Sequence, residues 1–484
     1  MEQLCYLGIR DIHEGLTQKQ FSAVELVSSF FSHIHDFNPS LNAFITLTEK
    51  QALESAVKID EKIARSHGLN LLEGVPYCLK DLFCTLGIQT TAGSKILEGF
   101  LPPYDATSVK RLKAAGGILL GKNTEDEFGH GSSSENTGFS VPRNPWDKKR
   151  VAGGSSGGSA VSVASGFSVF ALGTDTGGSV RQPASLSGCV GLKPTYGRIS
   201  RYGVIAMASS LDTVGILARS AEDVAFVLQI LAGKDRYDST LPDVSVPDYG
   251  AYLSQDVHGL KVGVPEEYFG EGLEDGVRKA VEQGIDVLKK LGMEVKPVHL
   301  PHTKYGVAAY YIICPSEVSA NMARYDGIKY GSTAKDAETL MDVYLESRSR
   351  GFHPEVKRRI MIGTYALSSG YYDAYYLKAQ KIRTLVKQDF EKAFEEVDIL
   401  AAPVSPTVAF KIGEKTDNPL AMYLNDSLTI PANLAGICAL SLPCGFSEGL
   451  PVGFQLLGPQ FGEDRILQVA HAFQKVTDFH LQHP

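Results

Sequence analysis

Four residues of this 484-residue chain have the types and settings for nucleophilic catalysis: Ser155, Ser156, Ser179 and Lys80. The serines lie in two glycine-rich turns, Gly153-Gly154-Ser155-Ser156-Gly157-Gly158-Ser159 and Gly177-Gly178-Ser179. Glycines at such turns permit positive φ and close backbone approach, which brings main-chain N–H groups to bear on a small group. A flexible linker is the alternative reading of a Gly/Ser cluster. It fits poorly, because this cluster runs straight into small apolar residues that read as a helix over 159–164 and a strand over 169–172.

The serines are not equivalent. Residues 153–157 and 154–158 both match G-x-S-x-G, the strand-to-helix elbow of many hydrolases. That elbow needs a buried strand before it, and residues 144–150 (NPWDKKR) are too polar to supply one. Ser179 has the better context: strand-like Phe170-Ala171-Leu172, then Gly173-Thr174-Asp175-Thr176-Gly177-Gly178, then a helix start. Consecutive amides of Thr176, Gly177, Gly178 and Ser179 can form an anion-binding nest, the geometry an oxyanion hole requires. A phosphate could use the same nest, but no Walker-type or dinucleotide-type glycine motif accompanies it. A serine nucleophile needs a base, and none of the twelve histidines falls within residues 151–198. A lysine can serve if burial depresses its proton affinity. Lys80 interrupts the apolar run Gly74-Val75-Pro76-Tyr77-Cys78-Leu79-Lys80. On composition alone it either snorkels at a strand end or works as a base.

Lys80, the block 153–160 and the block Gly173-Thr174-Asp175-Thr176-Gly177-Gly178-Ser179-Val180-Arg181-Gln182-Pro183 together resemble the amidase signature family, over nearly the whole chain. The resemblance implies an α/β fold with a large central mixed, mostly parallel β-sheet covered by helices on both faces. It also implies a Ser–cis-Ser–Lys triad: Ser179 as nucleophile, Ser155 as bridging serine after a cis Gly154–Ser155 peptide, Lys80 as base. Thr176, Gly177 and Gly178 would supply oxyanion amides, and the polar loop 126–136, with Ser133, would line the substrate pocket.

The C-terminal half narrows the resemblance. Tyr310, Arg359, residues 370–376, Met422 to Asp426 and the run Pro431-Ala432-Asn433-Leu434-Ala435-Gly436 are similar to the branch of that family that feeds ammonia to tRNA-dependent amidotransferases. This implies that Arg359 reads the α-carboxylate of glutamine, Asp426 its α-ammonium, and Tyr310 helps close the pocket. A guanidinium and a carboxylate together suit a free amino acid and reject apolar amides. Read without the resemblance, Arg359 is part of a solvated helix face and Asp426 a helix cap. The branch implies a heterotrimer: a B subunit binds misacylated tRNA and uses ATP and Mg²⁺, a C subunit completes the assembly, and this chain needs no cofactor of its own. A stand-alone amidase and a non-catalytic assembly protein remain as alternatives.

These residues need a scaffold, and the rest of the chain reads as one. A capping box at Ser22-Ala23-Val24-Glu25 starts a helix that ends near Phe37, before Pro39. A second helix covers about 50–66, with Gly68 as its stop. Strands over 75–79 and 118–120 flanking a helix over 107–115 begin an α/β alternation. A further β-α-β unit spans residues 260–300. The expected organisation is an N-terminal helical segment, 1–70, packed on one α/β domain, 71–484, whose tyrosine-rich helical region covers about 308–392. Those tyrosines read as half-buried packing faces. A net charge of −8 with no basic run argues against independent nucleic-acid binding. Seven scattered cysteines without a C-x-x-C pair read as reduced buried thiols, and the isolated Glu127 and His130 make no metal site. No stretch is apolar enough to cross a membrane and the N-terminus lacks a secretion pattern, so the expected location is the cytoplasm.

Overall fold

The computed structural model describes residues 2–484. Eleven strands form one sheet: β1 Phe44–Leu47, β2 Pro76–Lys80, β3 Ile118–Asn123, β4 Phe170–Asp175, β5 Val190–Lys193, β6 Thr213–Ala218, β7 Lys261–Pro265, β8 Glu294–Val298, β9 Ile399–Pro403, β10 Cys438–Ser447 and β11 Leu450–Gly458. Their order is β1-β3-β2-β4-β6-β5-β10-β11-β9-β7-β8. Every residue of β2, β3, β4, β5, β6, β9 and β11 is buried, as expected of strands covered on both faces.

The sheet is mixed, with its parallel pairings on two flanks. Strands β3, β2 and β4 run parallel on one side, and β9, β7 and β8 on the other. Between them β4, β6, β5, β10, β11 and β9 pair antiparallel. The mostly parallel character expected from the α/β alternation is therefore confined to the flanks. The antiparallel centre has a local cause: β10 and β11 are consecutive long strands joined by the tight turn Glu448-Gly449, with both residues at positive φ, the signature of a hairpin connection.

The catalytic candidates gather where β2 and β4 end side by side. Leu79 of β2 is in register with Leu172 of β4, so Lys80 at the end of β2 lies beside the last residues of β4, just before the second glycine turn. Placing functional groups at carboxyl ends of parallel strands is the general habit of α/β sheets.

The N-terminal helices pack on the same core, with Ile9, Ile12, Leu16, Leu26, Phe30 and Ile34 fully buried. Ser22 caps the helix Ala23–Leu41: its hydroxyl accepts from the Glu25 amide at 3.0 Å, and Glu25 accepts from the Ser22 amide at 2.8 Å. That helix continues through Pro39 rather than stopping before it. The proline occupies the last turn, where it forfeits one hydrogen bond and the left-handed Asn42 closes the end through Asn38 O, 2.8 Å. The next helix, Glu49–Ala64, ends at a left-handed Ser66 (φ 57), not at Gly68.

The C-terminal helical region comprises Gly306–Asn321, Leu340–Gly351, Pro354–Ala366 and Lys378–Glu396. Tyr310 and Tyr325 are buried there, but Tyr365, Tyr371, Tyr372 and Tyr375 are exposed and make ring contacts among themselves and with Tyr376, so these four are not the packing face expected of them. No helix among the described residues is long and apolar enough to cross a membrane.

Candidate active site

Lys80 is wholly buried, and its Nζ donates to Ser155 Oγ at 2.7 Å and to Thr174 Oγ1 at 3.2 Å. Snorkelling is excluded by that burial. Burial pushes the ammonium's proton affinity down, against the opposing pull of Glu125, Asp126, Asp212 and Asp175. A lysine so placed is a base in waiting.

The Gly154–Ser155 peptide is cis, as the family resemblance implies. The turn around it is fully committed. Gly154 N–H donates to Gln182 Oε1 at 3.0 Å, and Gln182 Nε2 donates to Ser132 O at 2.9 Å. Gly153 has φ 84, and a Cβ there would lie 2.5 Å from Gln182 Oε1. On Gly154 it would lie 2.3 Å from Asp126 Oδ2. No side chain fits at either position, which is why the sequence has two glycines before the bridging serine. Ser156, the competing serine, is completely buried with its hydroxyl on Thr174 O at 3.3 Å, so it is structural.

Ser179 is the most accessible of the three, at 9% exposure. The Ser156 amide donates to Ser179 O at 3.1 Å and ties the two turns together. Asp175 organises the second turn. It accepts from the amides of Gly178 (2.9 Å), Val180 (3.1 Å) and Arg181 (3.3 Å), and from the Arg181 guanidinium at two points, both 3.1 Å. Arg181 in turn reaches Thr429 O, Asn433 Oδ1 and Gln455 Oε1. Burial alone would raise the Asp175 carboxyl, but the Arg181 charge and hydrogen bonds win and hold it at about 2.

The Gly178 amide is thereby engaged by Asp175, which removes it from the expected set of oxyanion donors and leaves Thr176, Gly177 and Ser179. Tyr310 covers this turn: a Cβ on Gly177 would lie 2.8 Å from the Tyr310 hydroxyl. Gly178 adopts φ 137, and a Cβ there would collide with Thr429 Oγ1 at 2.2 Å. Thr429 itself donates to Gly177 O at 2.7 Å.

Replacing Asp175 with asparagine strips this hub of its charge and leaves Arg181 buried without a counterion, a loss of about 3–5 kcal/mol. The stability contributed by a carboxyl depressed to about 2 is present above roughly pH 4 and lost as pH falls through 2. Thermal melts across that window should show a steep decline in the native chain. The asparagine variant, melting lower throughout, should lose the Asp175 share of that decline.

The residues expected to read an amino acid are brought together across the loop 126–136. Arg359 is 2% exposed, and its Nε donates to Glu355 Oε1 at 2.8 Å. The same oxygen accepts from the Tyr423 hydroxyl at 2.9 Å, and the guanidinium lies 5.2 Å from the Tyr311 ring centre and 5.6 Å from that of Tyr423. The terminal nitrogens of Arg359 have no hydrogen-bond partner among the described residues, and Arg359 lines a cavity together with Gly131, Ser133, Glu355, Lys415 and Tyr423. Asp426, 8% exposed, accepts from Ser132 Oγ at 2.5 Å. Burial raises its carboxyl to about 7, although Ser132 and the Arg359 charge pull it down. With Arg359 holding the α-carboxylate of glutamine, as the resemblance implies, Arg359→Ala is expected to raise the glutamine KM roughly 30- to 1,000-fold, the counterpart of about 2–4 kcal/mol for one partner of a buried charge pair. Steady-state kinetics with kcat little changed is the check.

Several contributors escaped the sequence reading. Glu125 and Thr174 flank Lys80, Gln182 and Asp126 hold the cis turn, and Ser132 rather than Ser133 touches Asp426. Glu355 had a readable signal: it stands four residues before Arg359, the helical spacing of an ion pair.

Comparison with known proteins places this geometry. The family described as Amidase matches residues 25–467. The chain is 55% identical over 481 residues to the A subunit of the glutamyl-tRNA(Gln) amidotransferase of Picosynechococcus sp., covering 99% of each. It is 53% identical to the protein of the same name from Carboxydothermus hydrogenoformans, covering 100% of this chain and 99% of that one. The crystal structure of the glutamyl-tRNA(Gln) amidotransferase A subunit from Thermotoga maritima superposes with a TM-score of 0.81 at 38% identity, covering 99% of this chain and 97% of that one. A 6-aminohexanoate cyclic dimer hydrolase superposes at 0.86 with 26% identity over 99% of both. With its paired glycine turns, its buried lysine and this likeness along its length, the chain belongs to the amidase signature family.

Proposed function

We propose that this chain is the glutaminase component of a tRNA-dependent amidotransferase, hydrolysing glutamine and passing the ammonia to a partner. The observation that carries the reading is a guanidinium and a carboxylate, Arg359 and Asp426, at one buried site next to the Tyr310-covered serine turn. A free amino acid presents the complementary charges, and an aliphatic amide does not. Full-length identity of 55% to a protein named for the A component of such an amidotransferase supports the same assignment.

In this reading neutral Lys80 takes the Ser155 proton, Ser155 takes that of Ser179, and Ser179 Oγ attacks the side-chain amide carbon of glutamine. The amides of Thr176, Gly177 and Ser179 hold the oxyanion. Collapse returns the proton through the relay to the leaving nitrogen, which departs as ammonia and leaves a γ-glutamyl ester on Ser179 for water to cleave. Lys80 and Ser155 then reverse their roles. Asp426 must be ionised to hold the substrate ammonium, so a carboxyl raised to about 7 binds glutamine better above neutrality than below. Ser133 and Tyr310 shape the pocket walls.

The assembly we infer is a heterotrimer. Its B subunit carries misacylated Glu-tRNA(Gln) or Asp-tRNA(Asn) and uses ATP and Mg²⁺, its C subunit joins the two, and this chain works in the cytoplasm without a cofactor of its own. The test is ammonia release from glutamine by the chain alone and with both partners, tRNA and ATP. Strong stimulation by the partners supports the reading. Full activity alone, or preference for apolar amides, makes the chain a free-standing amidase.

A further inference from the structure

Glu125 is the least satisfied polar side chain near the catalytic candidates. It follows β3, is completely buried, and neither carboxyl oxygen has a hydrogen-bond partner. It forms an ion pair with Lys80, whose Nζ lies 3.7 Å from Oε2. The site is tightly built: a Cβ on Gly93 (φ 66) would lie 2.9 Å from Glu125 O and 3.1 Å from its Cγ, so the facing loop needs a glycine to let the glutamate in.

A buried carboxyl without donors is costly, and chains keep such a group where it does something. Burial holds the Glu125 carboxyl well above the usual carboxylate range against the pull of Lys80, so what the position offers is a proton-exchanging carboxyl beside a base. Around the carboxyl stand Lys80 and Asp81 from the β2 end, Lys122 from β3 and Asp126 next along the chain. Asp81 and Lys122 form an ion pair at 3.1 Å; Asp81 Oδ2 accepts from the Thr91 amide and hydroxyl, and Lys122 also donates to Phe83 O and Thr90 Oγ1. Asp126 accepts from the amides of Ser134 and Asn136. Lys80 is left as the group that Glu125 can act upon.

We propose that Glu125 is a positioning residue of the triad, whose carboxyl sets how tightly Lys80 holds the proton passed to it by Ser155. The inference rests on the reading of Lys80 as the base. Complete burial strips an ammonium of its hydration and makes the amine a weak base. A neighbouring carboxyl restores part of that basicity, and a base works best when its proton affinity matches the pH at which it operates. Among the charged groups around Lys80, Glu125 opposes burial most strongly. No atom of Glu125 touches substrate in this scheme; it acts through Lys80.

The test is the pH dependence of Ser179 acylation by a fluorophosphonate, measured on the full chain for the native protein, Glu125→Gln and Lys80→Met. Glu125→Gln should move the acid limb down by about a pH unit or more and slow the plateau about tenfold, because Lys80 has become a weaker base. Glu125→Met supplies the same readout should the glutamine variant fail to fold. An acid limb unmoved in the folded variant, with Lys80→Met inactive, overturns the role of Glu125 and leaves Lys80 as base. Undiminished labelling of Lys80→Met overturns the triad reading itself, and this inference with it.

Discussion

Replacing Ser179 with alanine abolishes glutamine-dependent transamidation, by roughly 10⁴-fold or more on the scale seen when a serine nucleophile is removed. The same variant, assembled with its partners, keeps ammonia-dependent transamidation. The two halves of this expectation come from different observations. Loss follows from the proposed role as nucleophile of Ser179, which is 9% exposed and tied through its carbonyl to the turn that carries Ser155. Retention follows because the turn is held by Asp175, Arg181 and Asn433, none of which bonds the Ser179 hydroxyl. Alanine therefore removes the nucleophile without disturbing the scaffold. Both activities disappearing together would mean that ammonia is not handed on from this site, or that the turn has collapsed. A melting temperature within a few degrees of the native chain separates those causes.

Lys80→Met is the second large effect. Methionine approximates the lysine stem but cannot accept a proton, so acylation should fall by about 10³-fold or more. Unlike most removals of a buried charge, this one should cost little stability. Lys80 is the cation that burial penalises, and Glu125 can take up a proton and become neutral once the lysine is gone. Acylation kinetics and thermal unfolding of one preparation test both halves. A folded variant with native acylation would remove Lys80 from the mechanism, and a variant that does not fold would make its charge structural.

Lys80 and the two glycine turns stood out because they carry strong local signatures, whereas their grouping as a triad came from the family resemblance. Two glycine turns and a lysine inside an apolar strand are unusual, and β2 and β4 are adjacent, so residues 75 positions apart meet. Helices with side-chain caps were equally readable, Ser22 among them. What could not be read was long-range pairing. Arg181 looks like an ordinary helix-start arginine, yet it bridges Asp175 to Thr429, Asn433 and Gln455, up to 274 residues away. The assignment of Gly178 as an oxyanion donor failed for the same reason: four consecutive amides look alike in a sequence, and only the position of Asp175 shows which one is taken. The antiparallel centre of the sheet depends on the return of β10 beside β5, a contact with no local marker.

Fold likeness does not choose the substrate. A cyclic dimer hydrolase at 26% identity superposes as well as an amidotransferase component at 38%. The two share a scaffold, and function lies in the residues placed upon it. Here the residues proposed for that task are Arg359, with Glu355 and Tyr423 behind it, and Asp426 with Ser132. The guanidinium is carried by helix Pro354–Ala366 and the carboxylate by the short turn Leu424–Asp426, both outside the strands that carry the triad.

In the proposed mechanism Ser179, relayed through Ser155 to Lys80, forms the acyl-enzyme with glutamine. Peptide mass spectrometry after treatment with an acylating glutamine analogue tests it most directly. The expected result is a single γ-glutamyl-type adduct on Ser179, formed in the native chain, competed by glutamine and absent from Lys80→Met. An adduct on Ser155 or Ser156, or one on Ser179 that forms as fast without Lys80, would contradict it.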